Sequence, residues 1–389
     1  MVRLFPCAVA ALVPALLTAV ACFQGAGWAV AALLSITVVV FFLDKLTVDA
    51  DVRDTTGHRL SEALGLAHFV LLALVVWSMG QPVPLLDKVL IVIAAGLWMG
   101  QVSNSNAHEL IHRGDRWAFR LGAAIYASLL FGHHTSAHRL VHHVHAGTAR
   151  DPATARAGQG FWSYVRQAWL GGFRAGLRAE RQRRSGARWP APYVAYVLGA
   201  VWTSVVAWSL AGWAGLVGLW IVAAYAQVQL MLSDYVQHYG LERRILPDGR
   251  AEPMGPQHSW NAPHWYSSAM MLNAPRHSEH HMHPARPFPA LALDAARMPM
   301  LPHSLPVMAV LALVPPLWRR VMDPRVARWR ERPARPDSEI ARAAAEKLAA
   351  GGIAGPVLPH WRHGPDHPSP RPFADRGVGP RRADDRRRI

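Results

Sequence analysis

Uncharged apolar runs dominate the first 232 positions of this chain and set its architecture. Six of them, at 4–22, 28–43, 64–79, 90–107, 193–213 and 216–232, approach the roughly 20 residues an α-helix needs to cross about 30 Å of hydrocarbon. The pattern predicts an all-α integral membrane protein with about six transmembrane helices. Two shorter apolar stretches, 121–131 and 304–317, are flanked by arginine and read as interfacial or core-facing helices. No solenoid-type repeat interrupts this order. Beyond Asp323 the chain turns rich in Arg, Pro and Gly. The expected organisation is therefore a membrane domain over 1–330 and a basic, mostly disordered tail over 331–389, with a short Ala-rich helix at 338–350.

Composition sharpens this picture. Charged residues make up 17%, against about 25% in ordinary soluble domains, and the mean hydropathy is +0.10. A soluble enzyme and a disordered protein are both excluded as descriptions of the whole chain. The net charge of +16 first suggests nucleic acid, but the basic excess gathers in 150–188 and after Arg319. The connections on the other side carry almost no charge: none at 23–27 or 211–215, and only Asp87 and Lys88 at 80–88. The positive-inside rule then places both termini and the long loops in the cytoplasm, against anionic lipid, with no nucleic-acid partner. A multi-pass protein of the bacterial inner membrane is the expected setting. Met1-Val2-Arg3 with Ala19-Val20-Ala21 also fits a cleaved leader, and the His-rich side stays cytoplasmic either way.

Only two cysteines occur, Cys7 and Cys22, both in the first apolar run. A disulfide framework, a Cys-x-x-Cys metal site and a Cys-ligated iron–sulfur centre within this chain are excluded. Histidine is abundant instead, at 21 copies. It is concentrated in His108-Glu109-Leu110-Ile111-His112, in His138-Arg139-Leu140-Val141-His142-His143, in His277-Ser278-Glu279-His280-His281, and at His238 within Tyr235-Val236-Gln237-His238-Tyr239-Gly240. Histidines at i and i+4 share one face of an α-helix and can hold one metal together. The nine imidazoles exceed the roughly six ligands of one ion, so two ions with four and five each are expected. Neutral nitrogen donors suit iron, copper or zinc. His108–His112 also fits the zinc-protease string HExxH, which leaves the other seven histidines without a purpose.

These boxes resemble the membrane-bound alkane hydroxylases (alkane 1-monooxygenases) of the membrane fatty-acid desaturase/hydroxylase superfamily. The likeness extends to Asp151-Pro152-Ala153, His258-Ser259-Trp260-Asn261 and Val321-Met322-Asp323-Pro324, and covers about residues 25–330. It implies a cytoplasmic-side di-iron site, dioxygen as co-substrate and hydroxylation of a terminal C–H bond of an alkane or similar apolar chain. His108, His112, His138, His142, His143, His238, His277, His280 and His281 are the implied ligands, and no catalytic residue is expected beyond the metal site. Electrons would come from a separate rubredoxin or ferredoxin and its reductase, because the cysteines of a fused rubredoxin are absent.

Three positions depart from the family pattern. Ala137 stands where the family has Glu before the second box, Gln237 replaces Glu before the single His, and Asp234 replaces an Asn. On a continuing helix Asp234 lies at i−4 to His238, where it would accept the imidazole N–H in place of the missing Glu. Glu109, Asp151, Asp234 and Gln237 are thus expected to support the ligands. His133, His134, His145, His258, His264 and His283 are expected to have supporting or surface roles. Two rival readings remain: a lipid acyl-chain desaturase or hydroxylase using the same metals, and a non-catalytic metal-binding membrane protein.

Overall fold

The computed structural model describes residues 4–46, 57–185 and 191–331. The basic tail and its Ala-rich helix lie outside the described residues. Helices account for the regular structure, and the described residues form only isolated bridges in place of strands, Ile245 with Ala251 and Asn261 with Met300.

Among the described residues, five helices are long and apolar enough to cross a membrane: Phe5–Gln24, Ala26–Leu43, Gly57–Met79, Leu85–His112 and Ala191–His238. The last, at 48 residues, is not one rod. Ala211 and Gly212 leave helical geometry, and Gly212 takes φ +56°, where glycine has no Cβ to clash. Ala127 lies beside Gly199, while the nearby Leu129 carbonyl accepts from the Gln227 side chain. Residues about 15 positions either side of the break therefore meet the same segment, so the chain folds back as a hairpin. Its arms, 191–210 and 213–238, are each about 30 Å or longer at 1.5 Å per residue.

Small residues let these helices approach closely. Gly96 and Gly100 sit one turn apart, and a Cβ at either would collide with Tyr225 or Gln229 on the second hairpin arm. Gln229 donates to the Gly96 carbonyl at 2.7 Å across the same contact. With lipid on the outside, apolar burial gives little preference for one helix neighbour over another, so close packing and interhelical hydrogen bonds specify the arrangement. His68 shows this too. It is fully buried between Ser128 at 2.8 Å and Ser103 at 2.6 Å, a structural histidine. Trp98 Nε1 donates to the Ala11 carbonyl, and Asn104 to Ala226. The two charges on the sparsely charged side cap helix ends: Asp87 accepts from the Ala26 N–H, and Lys88 donates to the Met79 carbonyl.

Leu85–His112 has 28 residues, about 42 Å of helix, against about 30 Å of hydrocarbon. Its histidines occupy the last turns, at one end of this length. The remaining helices gather there. Arg116–Ser128 buries Leu121 and Ile125, and Leu305–Ala312 buries Leu305 and Met308. Phe161–Arg183 packs on residues 134–142.

Gly96→Ala is expected to destabilise the bundle by about 1–3 kcal/mol, because the added methyl meets an aromatic ring within a close-packed interface. Gly27→Ala, where a Cβ meets nothing within 4 Å, should be neutral or slightly stabilising. Thermal unfolding of both variants in detergent checks the pair.

Candidate metal centre

The nine box histidines fall into two groups. One comprises His108, His112, His138, His143 and His280, the other His142, His238, His277 and His281, with the candidate ligand atoms of each group within 4.8 Å of one another. The groups abut: the rings of His143 and His281 stack with centroids 4.6 Å apart.

Backbone geometry decides which histidine joins which group. His108 and His112 share an α-helical face, as do His277 and His281. The expected i, i+4 pairing fails in the second box. His138–His142 is a π-helical turn, whose wider i→i+5 repeat brings His138 and His143 onto one face. Their Nε2 atoms lie 3.0 Å apart, while His142 joins the other group. A second π turn, Met99–Ser103, precedes His108.

The donor geometry fits metal ions. Nε2 of His238, His277 and His281 lie 2.9, 3.1 and 3.1 Å from one another. Each neutral imidazole nitrogen is either a donor or an acceptor, so in a triangle at least two nitrogens of the same kind face each other. Metal–imidazole bonds of about 2.0–2.1 Å place two ligands at right angles about 3 Å apart, so a shared cation removes the conflict. Nε2 of His108, His112 and His142 are buried with no hydrogen-bond partner. Burial, reinforced by neighbouring imidazoles, holds His143, His277, His280 and His281 well below the usual imidazole range. The rings are thus neutral and their lone pairs free for a metal.

Of the four expected supporting side chains, one meets an imidazole. His142 Nδ1 donates to Asp151 at 2.8 Å, which fixes the tautomer and leaves Nε2 free. Burial pushes the Asp151 carboxyl up, but His142, Thr154 and the Ala153 N–H more than offset this and hold it below the usual carboxylate range. Gln237 instead donates to the Ala274 carbonyl at 3.0 Å and accepts from Ser233, so it anchors the chain three residues before His277. Glu109 lies 3.7 Å from Arg113 rather than against an imidazole. The expected contact between Asp234 and His238 is not made. The His238 ring turns its Nε2 toward His277 and His281, and its Nδ1 has no partner.

Ala137 also has a physical reason. Phe161–Arg183 approaches through Gly172 and Gly176, and a Cβ on Gly176 would lie 3.0 Å from the Ala137 N–H. A longer side chain at 137 would push that helix away. Among the other histidines, His258 is buried and accepts from the Gly255 N–H while pairing with Glu252. His133 packs on Trp169 and Phe173, and His134 stacks on Phe131.

The motifs around Trp260-Asn261 and Asp323 act as clamps. Asn261 accepts from the Ser278 N–H at 2.9 Å and donates to its hydroxyl, holding the third box at its helix start. Trp260 donates through its backbone to Gln237 and through its indole to the Tyr239 carbonyl. Tyr239 donates to Asp323 at 2.5 Å, and Gly240 takes φ +70° with Val326 where a Cβ would be.

A cavity of about 590 Å³ leads to the histidines. Ile36, Val40, Leu97, Tyr225, Val228 and Leu313 are among its walls, and His108 and His277, one from each group, lie on its lining.

Fold and centre together define an all-α membrane protein that gathers paired histidine clusters at one end of its helices. Comparison with known proteins agrees. The fatty acid desaturase family model matches residues 86–351. Alkane 1-monooxygenase 1 of Pseudomonas aeruginosa is 30% identical over 322 residues, 77% of this chain and 83% of that protein. Alkane 1-monooxygenase 2 of the same organism is 34% identical over 243 residues, covering 60% of this chain but only 63% of the relative's length. The hydroxylase component of a xylene/toluene monooxygenase of Pseudomonas putida is 29% identical over 252 residues, 62% of this chain and 65% of that protein. The chain belongs to the fatty acid desaturase family and, within it, to the alkane hydroxylases.

Asp151→Ala is expected to lower metal affinity about 10–100-fold, the usual effect of losing an imidazole's hydrogen-bond partner. Glu109→Gln should leave metal content at the parent level. Metal analysis of the purified proteins separates the two.

Proposed function

We propose that the chain is an oxygen-dependent di-iron monooxygenase that hydroxylates the terminal C–H of alkanes or similar apolar chains. The observation that carries this reading is the pair of all-imidazole groups bordering one apolar cavity. Five nitrogens would hold one iron and four the other, leaving positions free for oxygen. Bound iron supplies the oxidising power that an unactivated C–H bond demands, since no acid–base group can act on it. The balance is RH + O2 + 2 e⁻ + 2 H⁺ → ROH + H2O. Electrons would be delivered by a rubredoxin or ferredoxin with its reductase, on the cytoplasmic side of the bacterial inner membrane, where both termini lie.

This chain's own residues bind and orient. The cavity walls take an apolar chain from the lipid and exclude water, each buried methylene contributing about 0.8 kcal/mol. Asp151 holds the His142 ring, and the Asn261–Ser278 and Gln237–Ala274 bonds hold the third box against the end of the hairpin.

Supplying medium-chain alkanes, ¹⁸O2 and an electron-transfer pair should give the labelled primary alcohol. An alkene would instead assign desaturation, and iron binding without turnover of any apolar chain would assign a carrier. His280→Ala and His281→Ala remove one donor from each group. Each should lose about one of two irons and nearly all turnover, while the membrane fold persists. Full iron content with normal turnover in either would overturn the ligand assignment.

A further inference from the structure

Asp234 is 9% exposed and lies on the wall of the large cavity, on the second hairpin arm. Among the described residues no hydrogen bond or ion pair reaches its carboxyl group. On the facing helix Gln101 lines the same cavity, and its side-chain oxygen is buried without a partner. Three polar side chains of the same lining are committed elsewhere: Gln229 to Gly96, Asn104 to Ala226, Gln237 to Ala274. Two acceptors thus border a largely apolar chamber with no donor bonded to either. A plain hydrocarbon filling it would displace water and strand both, and buried acceptors without partners are strongly disfavoured.

We propose that Asp234 and Gln101 form an acceptor station for a hydrogen-bond donor on the substrate, so that the preferred substrate is an apolar chain bearing a hydroxyl or protonated amine. A site built to hydrogen-bond a substrate group discriminates strongly against an analogue that lacks it, because the analogue leaves the site's polar atoms unpaired. The inference rests on the cavity being the substrate site. It competes with one alternative, a water retained in a recess of about 30 Å³ lined by His138, His142, Asp151 and Asp234, room enough for a single molecule.

The test is binding of dodecane, 1-dodecanol and dodecylamine to the full chain in zwitterionic nanodiscs, followed by tryptophan fluorescence, with metal content measured on the same samples. At least one donor-bearing chain should bind about 10–100-fold more tightly than dodecane, and its oxygen-dependent kcat/KM should be higher by a similar factor. Asp234→Leu should abolish or reverse that preference. Asp234→Asn, nearly isosteric, should retain part of it and guards against misfolding of the Leu variant. Equal binding of all three chains, or an unchanged ratio in Asp234→Leu, would overturn the proposal and leave the retained water. Tight alcohol binding without oxygen-dependent consumption would also overturn it, marking the station as a grip on product. Metal content is read on the same samples as binding, so donor preference without iron would fault the di-iron reading alone, and full iron with equal binding of the three chains would fault the station alone.

Discussion

Ring nitrogens held about 3 Å apart with no proton arrangement to reconcile them are the constraint around which this molecule is built. Left alone, such a cluster would splay, because neutral imidazoles facing one another through lone pairs repel. It holds together through what surrounds it. The ends of the fourth apolar helix and of the hairpin deliver His108, His112 and His238, and short loop-borne helices deliver the rest. Their positions are enforced by hydrogen bonds that never touch a metal: Asn261 to Ser278, Gln237 to Ala274, Tyr239 to Asp323. Holding lone pairs in place before any ion arrives lowers the reorganisation needed on binding.

The membrane sets the depth at which this can happen. Polar groups are costly in hydrocarbon unless paired, as His68 is with Ser103 and Ser128. The histidines lie at the ends of the apolar helices, and the cavity runs between those helices to His108 and His277.

Much of this was legible in the sequence. Apolar runs gave the helices, and even the hairpin, because an uncharged Ala-Gly-Trp-Ala-Gly turn separates two runs that continuous helical geometry would otherwise fuse. The division of nine histidines into five and four followed from ligand arithmetic, and the geometry arranges them in those numbers. What failed was orientation. A spacing of four places Asp234 and His238 on one face of a helix, yet the side chains diverge, one into the cavity and the other into the cluster. Periodicity assigns faces to Cβ atoms and says nothing of rotamers, which tertiary neighbours choose. The clamps at Asn261 and Trp260 were invisible for the same reason, their partners being 17 and 21–23 residues away along irregular chain.

The second box shows how much rests on one extra residue in a turn. Were 134–145 a regular α-helix, His138 and His142 would share a face and His143 would point about 100° away from His142. The π turn changes this. It pairs His138 with His143 and frees His142 for the opposite group, where Asp151 holds it. One short segment thereby supplies both groups, and no other box except the third does so. Its packing makes the distortion tolerable: Ala137, Gly172 and Gly176 let the Phe161–Arg183 helix lie close against the turn, and Glu180 bonds the Ser136 hydroxyl from the same helix. Small side chains at 137, 172 and 176 are thus part of the metal site without approaching a metal. A bulkier residue there acts on ligand register first and on stability second.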